Sequence, residues 1–537
     1  SKGGTKDRIA ASSDYTMTSG AYVELLTTTS AGSTADIDLT GNTRSQTIIG
    51  NAGDNYINGG GSGGADILRG LGGNDKYRIH NTADKIFEYA GDGNDRVLTS
   101  VDYQLASGVH VEILSTSSSG GTKALRLTGN ELAQTILANA GNNYLSSGGA
   151  GAADILRGMG GNDTYRVYNS SDVVMESSGG GADRVKTSVG YALGAGVSVE
   201  SLTTHGSGGT SNINLTGNEL AQSIIGNAGR NVISDGGGSG VDSLRGLKGN
   251  DTYIVRNANT AVVEVAGEGT SDRVAAGVDF NLQNGVSVEL LTTTSASSTA
   301  GLNLTGNTGS QTIIGDAGDN YINGGGSGGR DVLRGLDGDD TYRVHNSADK
   351  IFEYAGDGND RIITSVDYEL ASGVEVETMT TNSSAGTKDI DLTGNEIAQT
   401  LYGNAGDNRL DGKAGDDTLR GMSGDDTYVF ENDWGRDTVL EYLRGGTDTL
   451  DFSAVTQSMT YVFANNSLKA GTGTLNFTDP SWTERFKGGE FKANFQDGNE
   501  VVVSSAGNVN AVQRIYLADV TDGSFTLAMG APGPDDY

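Results

Sequence analysis

The chain has 537 residues with 85 Gly, 3 Pro and no Cys, and its 68 Asp and Glu against 36 Lys and Arg give a formal charge of -32. Glycine at that frequency, without proline and without a strict three-residue period, excludes collagen and requires many tight turns. Such acidity opposes nucleic acid and anionic membranes and makes a cation the natural partner, while no apolar run approaches the ~18 residues of a spanning helix.

Read from the start, the chain opens inside a repeat, because Lys6-Asp7-Arg8-Ile9 matches the interior of later units. Leu-Thr-Gly-Asn begins at Leu39, Leu127, Leu215, Leu304 and Leu392, spacings of 88, 88, 89 and 88. Val-Glu recurs with that period at Glu24, Glu112, Glu200, Glu289 and Glu377, and Asp-Arg followed by Val or Ile at Asp7, Asp95, Asp183, Asp272 and Asp360. The expected boundaries are the end of a truncated unit at 1–38, full units at 39–126, 127–214, 215–303 and 304–391, a partial unit at 392–450, and a C-terminal β segment at 451–537. Starting partway through a unit suggests a fragment or a processed product.

A shorter period lies inside each unit. It is clearest in Gly403-Asn-Ala-Gly-Asp-Asn-Arg-Leu-Asp411 and the nonapeptides beginning at Gly412 and Gly421. Six residues rich in Gly, Asn and Asp suit a turn, and three residues make a short strand whose central apolar side chain points inward. Two nonapeptides then close one coil, and stacked coils bury a ladder that includes Leu68, Tyr77, Ile86 and Val97. The pattern predicts an all-β parallel solenoid, a rod on the order of 110 to 120 Å. The alternating Val101, Tyr103, Leu105 and Val109, Val111, Ile113 continue it as strands with longer loops.

These nonapeptides match G-G-x-G-x-D-x-U-x, with U a large apolar residue, so residues 1 to about 450 resemble the RTX (repeats-in-toxin) family of secreted bacterial proteins in its modular 88-residue form. The resemblance implies a parallel β-roll that binds calcium, and type I secretion with an export signal near residues 480–537.

The candidate ligands are the sixth-position acids. They fall at Asp66, Asp75, Asp84 and Asp95; at Asp154, Asp163, Asp172 and Asp183; at Asp242, Asp251 and Asp272; at Asp331, Asp340, Asp349 and Asp360; and at Asp417, Asp426, Asp437 and Asp448. Coil stacking pairs Asp66 with Asp84 along one edge and Asp75 with Asp95 along the other, and stacked carboxylates in a dry turn require a counter-ion. Ca2+ fits best, since it takes six to eight oxygens in flexible geometry, whereas Mg2+ holds its waters and zinc or copper would want His or Cys. About two sites per unit, roughly ten in all, are expected. Thr260 stands where the third unit should have an acid, and a site there should be lost or weakened. Gln46, Asn55, Gln399 and Asn408 read as structural ladders, and Glu88, Glu176, Glu264, Glu353 and Glu441 stay open between ligand and solvated face.

Beyond Asp448 the strand-like runs at 459–463, 475–477, 501–504 and 514–519, with Trp482 between them, suit a small β cap, an adhesion or assembly module, or the export segment. No Cys, His-Glu-x-x-His, Gly-x-Ser-x-Gly or P-loop is present, and no catalysis is expected. The favoured function is a secreted calcium-binding structural protein of a bacterial surface, such as an adhesin stalk, surface-layer subunit or fibre, whose roll folds on Ca2+ after export. The alternative is a secretion and folding appendix of an extracellular protease, lipase or epimerase. Further partners would be other copies of the chain or cell-surface glycans.

Overall fold

The computed structural model describes residues 7–440, 445–457 and 467–476 in full, and the backbone of strands Met459–Val462, Gly473–Phe477, Phe491–Phe495, Glu500–Ser504, Val512–Tyr516 and Ser524–Phe525. Among the described residues the regular elements are β-strands of two to five residues. Each nonapeptide behaves as its composition dictates. In residues 70–79 the Gly70 to Asp75 turn feeds strand Lys76–Ile79, whose Tyr77 and Ile79 are buried and whose Lys76 is exposed. The turn places Gly73 at φ 101° and Leu71 at φ 83°. Leu71, Met159, Leu247, Leu336 and Met422 all hold this left-handed second position, where the nonapeptide pattern has glycine. Each bears a backbone cost of roughly 1–2 kcal/mol.

The chain forms two compact units, residues 1–272 and 273–537. In the first, every strand pairs in parallel with strands two places away, so two strands make one coil. One sheet runs Arg8–Ala11, Leu25–Thr28, Thr47–Ile49, Ile67–Arg69, Lys85–Ile86. A nine-stranded sheet extends from Tyr15–Thr16 to Val173–Met175, and another from Tyr103–Gln104 to Ala261–Val263. In the former, register stacks Leu39, Ile57, Tyr77, Val97, Leu114, Ile136, Leu156 and Val174 into one ladder, and all eight are buried. Burying each such side chain contributes about 1.5–3 kcal/mol. The expected inward residues Leu68, Tyr77, Ile86 and Val97 are all in the core.

The repeat length has a consequence that the spacing of motifs does not display. From Leu39–Thr40 up to the next copy at Arg126–Thr128 the chain makes nine strands, an odd number. With two strands per coil, equivalent residues of successive repeats lie in different sheets. Leu39 belongs to the sheet ending at Val173–Met175, and Leu127 to the one ending at Ala261–Val263.

The second unit repeats the scheme. Leu304, Ile322, Tyr342, Ile362, Met379, Leu401 and Leu419 form one buried ladder, and Leu392, Leu410, Tyr428 and Leu450 another, again placing Leu304 and Leu392 in different sheets. After Asp448–Phe452 the pairing changes, for Ser467–Ala470 runs antiparallel to both Met459–Val462 and Gly473–Phe477. Here Phe430 stacks on Phe452 at 4.8 Å between ring centroids and meets Trp434 edge-on at 5.6 Å. Gly473 lies against the Trp434 ring, where a β-carbon would clash. The expected C-terminal runs overlap strands 459–462, 473–477, 500–504 and 512–516, while residues 463 and 517–519 and Trp482 lie outside the described residues.

Candidate metal centre

Stacking brings the sixth-position residues of successive coils into register, as the spacing predicts, but the contact they make is between backbone and carboxylate. Gln46 N–H donates to Asp66 Oδ1 at 2.7 Å and Asp66 N–H to Asp84 Oδ1 at 3.0 Å. On the other edge Asn55 N–H donates to Asp75 Oδ1 at 2.7 Å, Asp75 N–H to Asp95 Oδ1 at 2.8 Å, and Asp95 N–H to Glu112 Oε2 at 2.6 Å. The second repeat pairs Asp154 with Asp172 and Asp163 with Asp183, the third Asp251 with Asp272, the fourth Asp331 with Asp349 and Asp340 with Asp360. In the fifth, Asp417 pairs with Asp437 and Asp426 with Asp448. Each ladder bond leaves the other carboxylate oxygen to find its own partner.

For many of these acids none is there. Oδ2 of Asp66, Asp75, Asp95, Asp154, Asp163, Asp183, Asp242, Asp251, Asp331, Asp340, Asp417 and Asp426 is buried without a hydrogen-bond partner. A buried carboxylate oxygen left alone carries a desolvation cost of several kcal/mol unless the group takes a proton or a cation. Burial accordingly pushes Asp66, Asp75, Asp95, Asp154 and Asp163 up to about 7 from the usual 3.8. Asp437 is pushed furthest, to about 9, by burial and by the Asp417 carboxylate beside it. Glycine at the head of the turn makes room for this oxygen, since a β-carbon on Gly70 would run into Asp75 Oδ2 and the Tyr77 hydroxyl.

A third acid joins the pair on one edge. Asp75, Glu88 and Asp95 each place a carboxylate oxygen within 4.8 Å of the others, all three buried, and the same holds for Asp163, Glu176, Asp183; for Asp251, Glu264, Asp272; and for Asp340, Glu353, Asp360. The glutamates that composition left open therefore point inward. Burial parity carried the signal: along Lys85 to Glu88, Lys85 and Phe87 are exposed and Ile86 and Glu88 buried. The tyrosine on the core ladder reaches the same spot. The hydroxyls of Tyr77, Tyr165 and Tyr253 donate to Glu88, Glu176 and Glu264. Gly158 N–H donates in turn to the Tyr165 hydroxyl at 2.9 Å. Burial and the neighbouring aspartates push Glu88 and Glu353 up to about 9 and Glu264, whose tyrosine bond opposes the rise, to about 8.

Asp84, Asp172 and Asp349, on the other edge, stand outside these triads. Their Oδ2 atoms cap the turn that each of them closes, accepting from Asn81 N–H at 3.2 Å, Asn169 N–H at 3.1 Å and Asn346 N–H at 3.1 Å. In the third repeat Asp242 lacks its usual partner, Thr260 standing in that place, and a residue the motif did not single out, Asp235, reaches the turn instead. The side chains of Gln46, Asn55, Gln399 and Asn408 do not form the expected ladders between coils but bond within their own turns, as in Gln46 Nε2 donating to Asn42 Oδ1 at 2.8 Å. In the fifth repeat Asp411 is held by ion pairs with Arg409 and Lys413, and Glu441 lies outside the described residues.

The triads suit a hard divalent cation. Their donors are carboxylate and phenol oxygens, and among the described residues no Lys or Arg forms an ion pair with an acid of the first, second or fourth triad. Ca2+ takes that donor set, with carbonyls of the turn available to complete it.

The fold and these turns define a calcium-type parallel β-roll. A family model described as the RTX calcium-binding nonapeptide repeat matches residues 40–77, 128–165, 216–253, 305–341, 326–351 and 393–432. The chain thus carries RTX calcium-binding nonapeptide repeats in several copies, stacked as a parallel β-roll. Proteins of this kind are typically exported and extracellular. No helix among the described residues is long and apolar enough to cross a membrane. Among curated proteins none matches the chain.

Proposed function

We propose that this chain is a non-catalytic structural element of a bacterial cell surface or extracellular fibre, whose β-roll folds when its turns bind Ca2+ after export. The observation that carries the reading is the buried three-carboxylate group recurring in four repeats on the core side of the turn. Where calcium is scarce those carboxylates, in a chain of charge -32, repel one another and keep it extended. Where calcium is millimolar, cation binding neutralises the turns, and binding free energy becomes folding free energy.

The chain's own residues divide the work. Asp75, Asp95 and Glu88 and their counterparts supply charge, the Tyr77 hydroxyl orients the glutamate, and backbone N–H groups of the coil before fix one oxygen of each aspartate. The test is a calcium titration of the full chain followed by far-ultraviolet circular dichroism, with bound calcium counted by equilibrium dialysis. A gain of β signal in step with several bound ions per chain is expected; a full β signal in calcium-free protein at neutral pH would end the reading. Electron microscopy of native material tests the structural role, with rods, lattices or fibres expected.

A further inference from the structure

The third repeat breaks the acid pattern at Thr260, and the structure repairs it from an unexpected direction. In the first, second and fourth repeats the acid at this place performs two tasks. Oδ1 of Asp84, Asp172 and Asp349 accepts the N–H of Asp66, Asp154 and Asp331 at 3.0 Å in each case. Oδ2 accepts turn N–H groups, those of Asn81, of Tyr168 and Asn169, and of His345 and Asn346. The counterparts of these donors in the third repeat are Arg256 and Asn257. They donate to Oδ2 of Asp235, at 2.6 and 3.0 Å, and the Thr260 hydroxyl donates to the same oxygen at 3.1 Å. A carboxylate oxygen thus takes the usual donors although its residue lies 25 positions earlier in the chain.

Asp235 also stands where the partner acid points. Its counterparts are Gly59, Ser147 and Gly324. In the first and fourth repeats a β-carbon on Gly59 or Gly324 would meet Oδ2 of Asp66 or Asp331. In the third repeat that place is filled by an aspartate with no exposed surface, and Asp242 Oδ2 is buried without a hydrogen-bond partner. Burial raises both Asp242 and Asp66, and the Asp235 carboxylate adds to Asp242 the like charge that Asp84 adds to Asp66. We infer that Asp235 is a cation ligand that replaces the missing acid at Thr260, so that the third repeat keeps a two-carboxylate Ca2+ site with Asp242 by drawing the second ligand from Asp242's own turn, one coil before Thr260.

This inference rests on the calcium reading above, and the experiment separates the two. Bound calcium per chain is counted by equilibrium dialysis for the wild type, Asp84→Asn, Asp235→Asn and the double variant Asp235→Asn/Thr260→Asp. Asparagine keeps an oxygen for the turn N–H groups but removes the charge, so a purely structural cap would leave the count unchanged. The expected result is one calcium fewer in Asp84→Asn and in Asp235→Asn, with the count restored in the double variant. A full count in Asp235→Asn overturns the inference, whether or not Asp84→Asn loses one, and leaves the calcium reading of the triads standing; a wild type that binds no calcium overturns the two together. Should Asp235→Asn fail to fold, the double variant decides alone, a full count supporting the inference and a count one short refuting it.

Discussion

Acid should substitute for calcium. At an effective dielectric constant near 20, two carboxylates 4.8 Å apart repel by about 3–4 kcal/mol, so a fully ionised triad such as Asp75, Glu88 and Asp95 carries roughly 10 kcal/mol of repulsion before screening. That rivals the ~5–15 kcal/mol total stability of an ordinary domain, so a metal-free roll with every triad ionised cannot persist. Protonation relieves the same strain that a cation does. Burial raises Asp75 and Asp95 from 3.8 to about 7 and Glu88 from 4.5 to about 9, so between these limits the metal-free fold binds protons that the unfolded chain has released. The stability so gained is fully present below about pH 4 and is lost as pH rises through the folded values. Calcium-free protein prepared over a chelating resin should therefore keep its β circular dichroism at pH 5 and lose it by pH 8, while millimolar calcium restores it. Calcium binding at pH 7 should also release protons, read as a dependence of the calorimetric enthalpy on the buffer. A calcium-free β signal that is flat from pH 5 to 8, or that grows with pH, would refute the argument.

Three further outcomes follow from single side chains. Glu88→Gln should weaken one calcium step by about tenfold or more, on the scale over which ligand charge tunes calcium loops, with the remaining steps unchanged in a calorimetric titration. Leu68→Ala, at a fully buried ladder position, should cost about 2–5 kcal/mol in a urea melt in calcium, whereas its neighbour Ile67, 41 % exposed, should cost within about 0.5 kcal/mol. Asp316 sits where Asn51, Asn139, Asn227 and Asn404 each donate to a backbone carbonyl, and its buried Oδ2 has no hydrogen-bond partner. Asp316→Asn should raise the urea midpoint, by about 1 kcal/mol in stability, and a fall would show that the acid has a function of its own.

What the linear chain determined about this protein is whatever nine residues can encode locally. Glycine and asparagine turns, a short strand with one inward side chain and an acid at the sixth position specify the coil, so the core residues Leu68, Tyr77, Ile86 and Val97 and the pairing of Asp66 with Asp84 and Asp75 with Asp95 were legible from spacing. Only the tertiary structure decided which groups from different coils meet. Glu88 joins Asp75 and Asp95 because strand parity turns it inward beside Tyr77, eleven residues away. Asp235 reaches the donors of the Thr260 turn because stacking lays one coil over the next. The nine-strand repeat sends Leu39 and Leu127 to different sheets because two strands close a coil and nine is odd. Each of these depends on the closure of the coil, a property of the path in three dimensions that no single nonapeptide contains.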